Sequence, residues 1–391
     1  MKPKGLGSIA VVLVALLVVL AACSSGTTQA PASGGASAPA KDASAVQVAP
    51  GKLPVLPAGR DLTFEEVKAA FKQIEEAANK EGKVTYYGPI ENLADTQKLW
   101  AQKYPSIQLE VVPARPNELL ARMETEQASK NYVGDILGQT AGTHFQAIEA
   151  GLIAKSNLEK ILPAMNDPGV DWAAKPIPQP QGYYIDGFMF NIFGIGINTK
   201  MVPPDKEPKT WKDLTDPYWK GKMVADWFDR LGIGGNWYVL MNKYPDFGAE
   251  YLDKMAKQEI KFLANRENLV AQGEYALGFP LNGMLLMQMP KGTPVKFIFP
   301  EDGYHYSARS GGIIANAPHP NAAIVFLEFF LSKEAQLAAT KEGRVLARND
   351  VPHPIPEMQN IKGKRLLTFG DDWEAKKPAL FEDAKKRFAI K

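Results

Sequence analysis

The chain has 391 residues, with 45 Lys and Arg against 43 Asp and Glu, four histidines and one cysteine. At about 150 residues per domain, this length predicts two or three domains. The 45% apolar fraction excludes wholesale disorder, and the 23% charged fraction excludes an ordinary multispanning membrane protein. A formal charge of +2 provides no basic field for a phosphate backbone, and four histidines are few for a His-rich metal site. We therefore expect no nucleic-acid partner, no resident metal and no cofactor.

The single cysteine follows a short apolar run. Lys2 and Lys4 precede the apolar residues 9–20, a run shorter than the roughly 20 residues that a membrane-spanning helix needs. The ending Leu20-Ala21-Ala22-Cys23 resembles the bacterial lipobox, which implies cleavage before Cys23 and its lipidation. Residues 1–22 are then a signal peptide, and acyl (palmitoyl) chains anchor the protein outside the cytoplasmic membrane. A plain secretory signal with a coincidental cysteine is the alternative.

Residues 23–59 are rich in small, polar and proline residues, which bury too little surface to offset the entropy of ordering. This composition predicts a flexible linker, so that the folded part begins at Arg60. Thr63 and Glu66 fit a capping box at the start of a helix that Gly82 ends. Strands and helices then alternate with short connections to about residue 150, which favours an α/β lobe with a largely parallel sheet.

A second alternating set follows in the other half of the chain. Residues 188–191 and 195–198 are extended segments separated at Gly194, and the second set of strands and helices begins after Lys200. Residues 311–315 return to a strand pattern. Two strongly helical segments, 322–331 and 333–342, then close the core.

Three motifs in this half resemble one family. They are Trp211-Lys212-Asp213-Leu214 with Trp219-Lys220-Gly221-Lys222, then residues 270–274, and then residues 317–332. Each is similar to a signature of bacterial extracellular solute-binding proteins of type II, which serve ABC importers, in the branch of ferric-ion, polyamine, thiamine and phosphonate receptors. The resemblance implies two Rossmann-like α/β lobes joined by two crossover strands, with a ligand cleft between them. The lobes are then residues 60–193 plus 310–391, and residues 194–309.

Several conspicuous residues of these motifs are expected to be structural. Trp211 and Trp219 are expected to pack a helix against the second lobe. Gly273 is expected to end a helix. His319 precedes a helix whose first turn suits Pro320.

Ligand contacts are expected where strands end and helices begin, because helix N-termini present free N–H groups there. The Thr140 loop suits an anionic or hydroxyl group, Trp227 offers a stacking face, and Arg230 is an anion fork. Ordinary helix caps and core packing are the alternatives at these positions. The expected ligand-binding residues are Pro89, Glu91, Thr140, Ala141, Gly142, Asp226, Trp227, Arg230, Phe279, Asn282 and Tyr304. Further plausible anion partners, if they are not solvated surface residues, are Arg115, Arg266 and Arg309.

A ferric ion is the alternative ligand. The resemblance implies two adjacent tyrosines shortly after residues 272–274, where this chain has Phe279-Pro280-Leu281-Asn282. Tyr86-Tyr87 lies on a strand, whose successive residues point to opposite faces. Tyr183-Tyr184 is away from the family position, and Tyr304-His305-Tyr306 is more typical of a packed crossover. The sequence therefore favours a small organic solute with an anionic or hydroxylated group.

The resulting prediction is a receptor that captures a small solute and delivers it to the permease subunits of an ABC importer. Hinge closure about residues 191–198 and 299–312 would trap the ligand. A secreted enzyme on a two-lobe fold is the competing class, but the sequence has no Ser/His/Asp or HExxH pattern. We expect an extracytoplasmic, lipid-anchored monomer without catalytic residues.

Overall fold

The computed structural model describes residues 45–90, 93–179, 182–283, 289–341, 344–353, 363–369 and 371–390. The predicted signal peptide, Cys23 and Glu91 lie outside the described residues. The helices are α1 (Phe64–Glu81), α2 (Leu93–Lys103), α3 (Pro116–Ser129), α4 (Ala141–Glu149), α5 (Pro163–Asn166), α6 (Ile233–Lys243), α7 (Gly248–Ala256), α8 (Arg266–Gln272), α9 (Pro320–Phe330), α10 (Lys333–Thr340), α11 (Asp371–Glu374) and α12 (Lys377–Arg387).

The strands form one large sheet and a separate hairpin. They are β1 (Gln47–Ala49), β2 (Lys52–Val55), β3 (Lys83–Tyr87), β4 (Gln108–Val112), β5 (Ile136–Leu137), β6 (Ile177–Gln179), β7 (Tyr184–Asn198), β8 (Met223–Ala225), β9 (Lys261–Phe262), β10 (Leu277–Asn282), β11 (Val295–Ile298), β12 (Tyr304–Ile313), β13 (Val345–Leu346) and β14 (Leu366–Leu367). The order along the large sheet is β4-β3-β5-β12-β7-β10-β8-β9.

The N-terminal hairpin corrects the predicted linker. Strands β1 and β2 pair antiparallel, and Val48 and Leu53 pack against the core of the first lobe. The Asn321 side chain donates from Nδ2 to the carbonyl oxygens of Ala49 (3.0 Å) and Lys52 (3.2 Å). The linker prediction was therefore wrong at its C-terminal end. The composition of residues 45–59 does not indicate the hairpin, because its apolar residues are buried only by contact with helices elsewhere in the chain.

Helix α1 begins and ends as predicted. The Thr63 hydroxyl accepts from the Glu66 N–H (3.3 Å), and the Glu66 carboxylate accepts from the Thr63 N–H (2.8 Å). Hydrogen bonding from Arg60, and then from Thr63, lowers the pKa of Glu66 to about 2. Gly82 ends the helix with φ 70°, a left-handed conformation that favours glycine. The capping box is confirmed.

Thr63→Ala is expected to lower the free energy of unfolding by about 1 kcal/mol, because it leaves the Glu66 N–H without its cap. Urea denaturation measures this change. Thr215→Ala is the control, since the Thr215 hydroxyl donates only to a carbonyl in an exposed turn. An equal loss in both variants would contradict the capping role.

The crossover strands β7 and β12 join the two lobes. They pair antiparallel from His305 opposite Phe193 to Gly312 opposite Tyr184, with an irregularity between Ala308 and Ser310. In the first lobe, β3 pairs in parallel with both β4 and β5, and β5 pairs with β12. In the second lobe, β10 pairs with β7 and in parallel with β8. The predicted α/β architecture with two lobes on a shared strand pair is confirmed.

Each lobe has its own aromatic core. In the first, Trp100 packs edge-on against Phe326 at 4.9 Å between ring centroids. In the second, Trp211 and Trp219 are fully buried, as predicted. The Trp211 indole N–H donates to the carbonyl of Gly303 at 2.9 Å, which ties this core to the start of β12.

The C-terminal segment packs in the second lobe. Leu367 and Ala384 are fully buried in the core that contains Trp211, and Arg365 binds both carboxylate oxygens of Asp246 at 2.7 and 2.8 Å. Helix α12 lies on α6, and α11 contacts α4 of the first lobe. Assigning residues 310–391 to the first lobe therefore does not hold for β14 and α12, which pack in the second lobe. The segment adds strand β14 beside the start of β12, a pairing that local sequence does not specify.

Among the residues that the structure describes, no helix combines the length and the apolarity needed to span a bilayer.

Candidate functional site

The first turn of α4 lies at the carboxyl end of strand β5. Thr140 is the N-cap, and its exposed side chain makes no capping hydrogen bond to the helix backbone. The N–H groups of Ala141 and Gly142 have no acceptor within the helix, because they belong to its first turn. This helix end therefore presents donors and a positive dipole end where the predicted loop was expected to contact a ligand.

Arg309 adds a full positive charge beside this helix end. Its guanidinium donates to the Gly138 carbonyl at 3.4 Å. The nearby His144 is fully buried, and its two ring nitrogens lie 3.1 Å from the Thr140 carbonyl and 2.9 Å from the Leu137 carbonyl. Burial, and in smaller part the charge of Arg309, lowers the pKa of His144 to about 4. His144 is therefore neutral at pH 7, and Arg309 supplies the positive charge at this edge.

The crossover strands provide a carboxyl group close to the same edge. The Ser310 hydroxyl donates to Asp186 Oδ1 at 2.5 Å, and the Ser310 N–H donates to the Gln139 carbonyl at 2.9 Å. Asp186 is half-buried, and burial raises its pKa. Tyr306 lies on the same strand as Ser310, four residues before it. Its ring packs edge-on against Phe190, with 5.3 Å between the ring centroids.

The Asp226–Arg230 loop lies at the carboxyl end of β8 in the second lobe. Asp226 binds Arg266 Nη1 at 3.0 Å with one oxygen and accepts from the Gly234 N–H at 3.0 Å with the other. The Arg230 guanidinium lies 4.9 Å from the centre of a Trp227 ring and 3.0 Å from Asp229 Oδ1. Trp227 and Arg230 therefore form a stacked pair on the loop, and Arg230 is also bound to Asp229.

The glycines after this loop serve packing rather than ligand approach. A Cβ on Gly234 would lie 2.5 Å from the Trp227 carbonyl oxygen, and one on Gly235 would lie 2.0 Å from the Arg230 carbonyl oxygen. The Gly235 Cβ would also lie 2.9 Å from the Phe381 ring of α12. These residues are therefore glycine because α6 is packed tightly on its own loop and on the C-terminal segment.

Two expected ligand contacts are core residues. Phe279 is fully buried, 5.2 Å from the Trp237 ring. Tyr304 is 7% exposed and packs against Phe299 at 5.6 Å. Both expectations were wrong, because the side chains point into packed layers. The other described residues of the predicted set lie at strand ends: Pro89 after β3, Thr140, Ala141 and Gly142 after β5, Asp226, Trp227 and Arg230 after β8, and Asn282 at the end of β10.

The adjacent tyrosines do not form a metal centre. Tyr86 and Tyr87 are both buried, and the Tyr87 hydroxyl donates to Glu126. His305 is fully buried between the tyrosines of the crossover, and neither of its ring nitrogens has a hydrogen-bond partner. Within the described ranges, no cluster of three or more His, Cys, Asp or Glu side chains is arranged to hold a metal ion.

Asp186 and Ser310 were not predicted as candidate site residues, and Tyr306 was considered only within the Tyr304-His305-Tyr306 cluster. The signal was present in the sequence, since Asp186 is an acid within the 15-residue, almost wholly buried strand β7. A carboxyl group in such a strand is costly unless it has a partner or a function.

Two α/β lobes, an antiparallel crossover pair and polar strand ends in both lobes define the type II class of binding proteins that serve ABC importers. Residues 134–363 match the family model of the bacterial extracellular solute-binding proteins, and the chain belongs to this family. Membership places the protein outside the cytoplasm, as a receptor for a small molecule that it passes to importer subunits.

Relatives and solved structures extend this comparison. An uncharacterized protein of Haemophilus influenzae is 25% identical over 293 residues, which are 70% of this chain and 80% of that protein. The spermidine/putrescine-binding periplasmic protein of Escherichia coli is 27% identical over 231 residues, or 56% of this chain and 61% of that protein, less than two thirds of its length. The structure of Trichodesmium IdiA (FutA), in complex with iron and citrate ligands, has a TM-score of 0.61 at 21% identity and covers 79% of this chain and 100% of that one.

Proposed function

We propose that the solute delivered by this receptor is a small organic molecule with an anionic or hydroxylated group. The anionic group would bind between the first turn of α4 and Arg309 in the first lobe. The loop of Asp226, Trp227 and Arg230 would close over it from the second lobe. The observation that carries this proposal is the position of Arg309, whose guanidinium lies beside a helix N-terminus and a neutral His144.

The mode of action follows from the crossover strands. Hinge closure about β7 and β12 would bring the strand ends of the two lobes together and form the surface that the permease recognises. In this proposal the lobes divide near residues 193 and 310, with β14 and α12 in the second lobe. Lipidated Cys23 holds the monomer at the membrane, and no catalytic step takes place.

The ligands named for a relative and for a structural neighbour suggest two competing solutes. A polyamine, as in the name of the E. coli relative, would need a carboxylate for each terminal ammonium group, but in the second lobe Asp226 and Asp229 already bind Arg266 and Arg230. The iron-bound structure shares only the fold at 21% identity. An anionic organic solute therefore accounts better for the charges at the strand ends.

The test is a thermal-shift screen of the full chain purified in detergent. Its probes are carboxylates, sulfonates, phosphate esters, sugars, putrescine and ferric citrate. A probe that binds only the folded state raises the Tm with concentration. The proposal expects the largest shift from an organic anion that is recovered unchanged. A shift with putrescine or ferric ion alone, or turnover of the probe, would overturn it.

Arg309→Ala is expected to weaken binding of the selected anion at least tenfold, because it removes the charge-assisted hydrogen bonds of a guanidinium. Isothermal titration calorimetry measures the Kd. Arg60→Ala is the matched control, since Arg60 binds Glu66 at the start of α1, away from the strand ends. If both variants bind as the unaltered chain does, Arg309 is not a ligand residue.

A further inference from the structure

The carboxyl group of Asp186 lies on the crossover strand β7, where hinge closure would bring solute. It accepts hydrogen bonds from the Ser310 hydroxyl and from the Gly187 N–H. The residue is partly exposed, and it lies on the strand that joins the two lobes. Two hydrogen bonds position the group but leave acceptor capacity, because a carboxylate offers about four lone-pair sites.

Basic side chains compensate two other buried or partly buried acids of this protein, whereas Glu328 and Asp302 accept from backbone N–H groups. Asp226 binds Arg266, and Asp135 binds His319. In the described ranges, Asp186 forms no ion pair with a lysine, arginine or histidine, and only hydrogen bonds offset its burial. Arg309, one residue from Ser310, donates to the Gly138 carbonyl. A half-buried acid without a cationic partner is complementary to a cation that arrives from outside.

Asp186 is also close to the proposed anion site. Ser310, which binds Asp186 through its side chain, binds the Gln139 carbonyl through its backbone. Gln139 immediately precedes Thr140, the N-cap of α4. The positive helix end and the unpaired carboxyl group therefore lie on either side of Ser310. Tyr306 lies close enough for Asp186 to help burial raise the pKa of its phenol, and its ring adds an aromatic surface on the same strand.

We propose that Asp186 recognises an ammonium group, so that the solute is a small zwitterion whose amino group lies a few bonds from its anionic group. This inference rests on the proposed function, since the anionic group of the same solute occupies the α4 site. Asp186 accepts from the ammonium group, while Arg309 and the first turn of α4 bind the acid. A simple anion fills only half of this site, and a diamine fills only the other half.

The experiment measures Kd values by calorimetry for the full chain in detergent. Three probe pairs differ only by an amino group: 4-aminobutyrate and butyrate, taurine and ethanesulfonate, and O-phosphoethanolamine and ethyl phosphate. Putrescine is the diamine probe. At least one amino-bearing probe is expected to bind tenfold or more tightly than its partner. In Asp186→Asn this preference is expected to fall below about twofold, while the deaminated partner binds as before.

Two comparisons show whether Asp186→Asn acts on recognition or on folding. The amide retains an oxygen that accepts from Ser310, so the Tm is expected to stay within a few degrees of the original. Asp167→Asn, a surface change in the first lobe, is expected to leave the preference intact. Equal binding within every probe pair overturns the inference but not the proposed function. Binding of putrescine alone, or of no probe, overturns both.

Discussion

Asp135→Ala is expected to lower the free energy of unfolding by about 3 kcal/mol. Asp135 is completely buried and accepts from the Thr85 N–H at 2.7 Å and from the His319 N–H at 2.8 Å. Its second oxygen lies 3.0 Å from His319 Nδ1. One carboxyl group thus joins β3, the residue before β5 and the start of α9. Its removal leaves a buried backbone donor and an imidazole without partners.

Urea denaturation checks this value through a lower midpoint at unchanged slope. Asp135→Asn keeps an acceptor oxygen and should lose less than the alanine variant. Asp167→Ala, whose carboxylate accepts only from the exposed Gly169 N–H, should change stability by less than about 1 kcal/mol. If Asp135→Ala and Asp167→Ala lower the free energy of unfolding by similar amounts, the hydrogen bonds of Asp135 contribute no more to stability than the single turn contact of Asp167.

The contact between Asp135 and His319 also predicts how the stability of the fold changes with pH. Hydrogen bonding to Asp135, with its charge, raises the pKa of His319 above 6.5. A raised pKa means that the folded state binds the proton more tightly than the unfolded state. The ion pair's contribution is therefore fully present below about pH 6.5 and is lost as the pH rises through the folded-state pKa. The difference in the free energy of unfolding between the unaltered chain and the Asp135→Ala variant should therefore become smaller as the pH rises through the pKa of His319.

Local patterns were sufficient for much of the fold. The capping box at Thr63 and the left-handed Gly82 depend on residues within a few positions of each other, so sequence spacing specifies them. The alternation of strands and helices predicted a largely parallel sheet in the first lobe, and β3 pairs in parallel with both β4 and β5. Trp211 was predicted to pack a helix against the second lobe, and it is fully buried in the core of that lobe.

Contacts between segments that are far apart in the sequence could not be predicted. Strand β14 pairs with β12 across about 60 residues, and the β1–β2 hairpin packs on α9, which starts at Pro320. Neither contact leaves a periodic signal in its own segment. At the site, strand ends were predictable as a group, but the direction of each side chain was not. Phe279 turned into the core because its strand is covered by α6, whereas Asp186 was overlooked within an apolar strand.

The buried His305 gives the last expected result, a loss of stability in mild acid. His305 is fully enclosed on β12, its ring is 4.8 Å from Phe193, and neither nitrogen has a hydrogen-bond partner. Burial lowers its pKa to about 3. A folded-state pKa below the unfolded value of about 6.5 means that only the unfolded chain takes up the proton between these values. Stability is therefore lost as the pH falls, by about 2 kcal/mol between pH 7 and pH 5 for this residue.

His305→Leu should recover that loss, because leucine has similar volume and no proton to bind. Between pH 7 and pH 5 the variant is expected to lose about 2 kcal/mol less than the unaltered chain. It should also be no less stable at pH 7, since two unpaired buried nitrogens are removed. His144, whose pKa is lowered to about 4, still titrates in the variant and leaves a residual acid loss. His319→Gln is the control, because the pKa of His319 is raised and its removal cannot reduce the acid loss. An acid profile unchanged by His305→Leu would mean that the crossover opens and lets water reach this ring in the folded state.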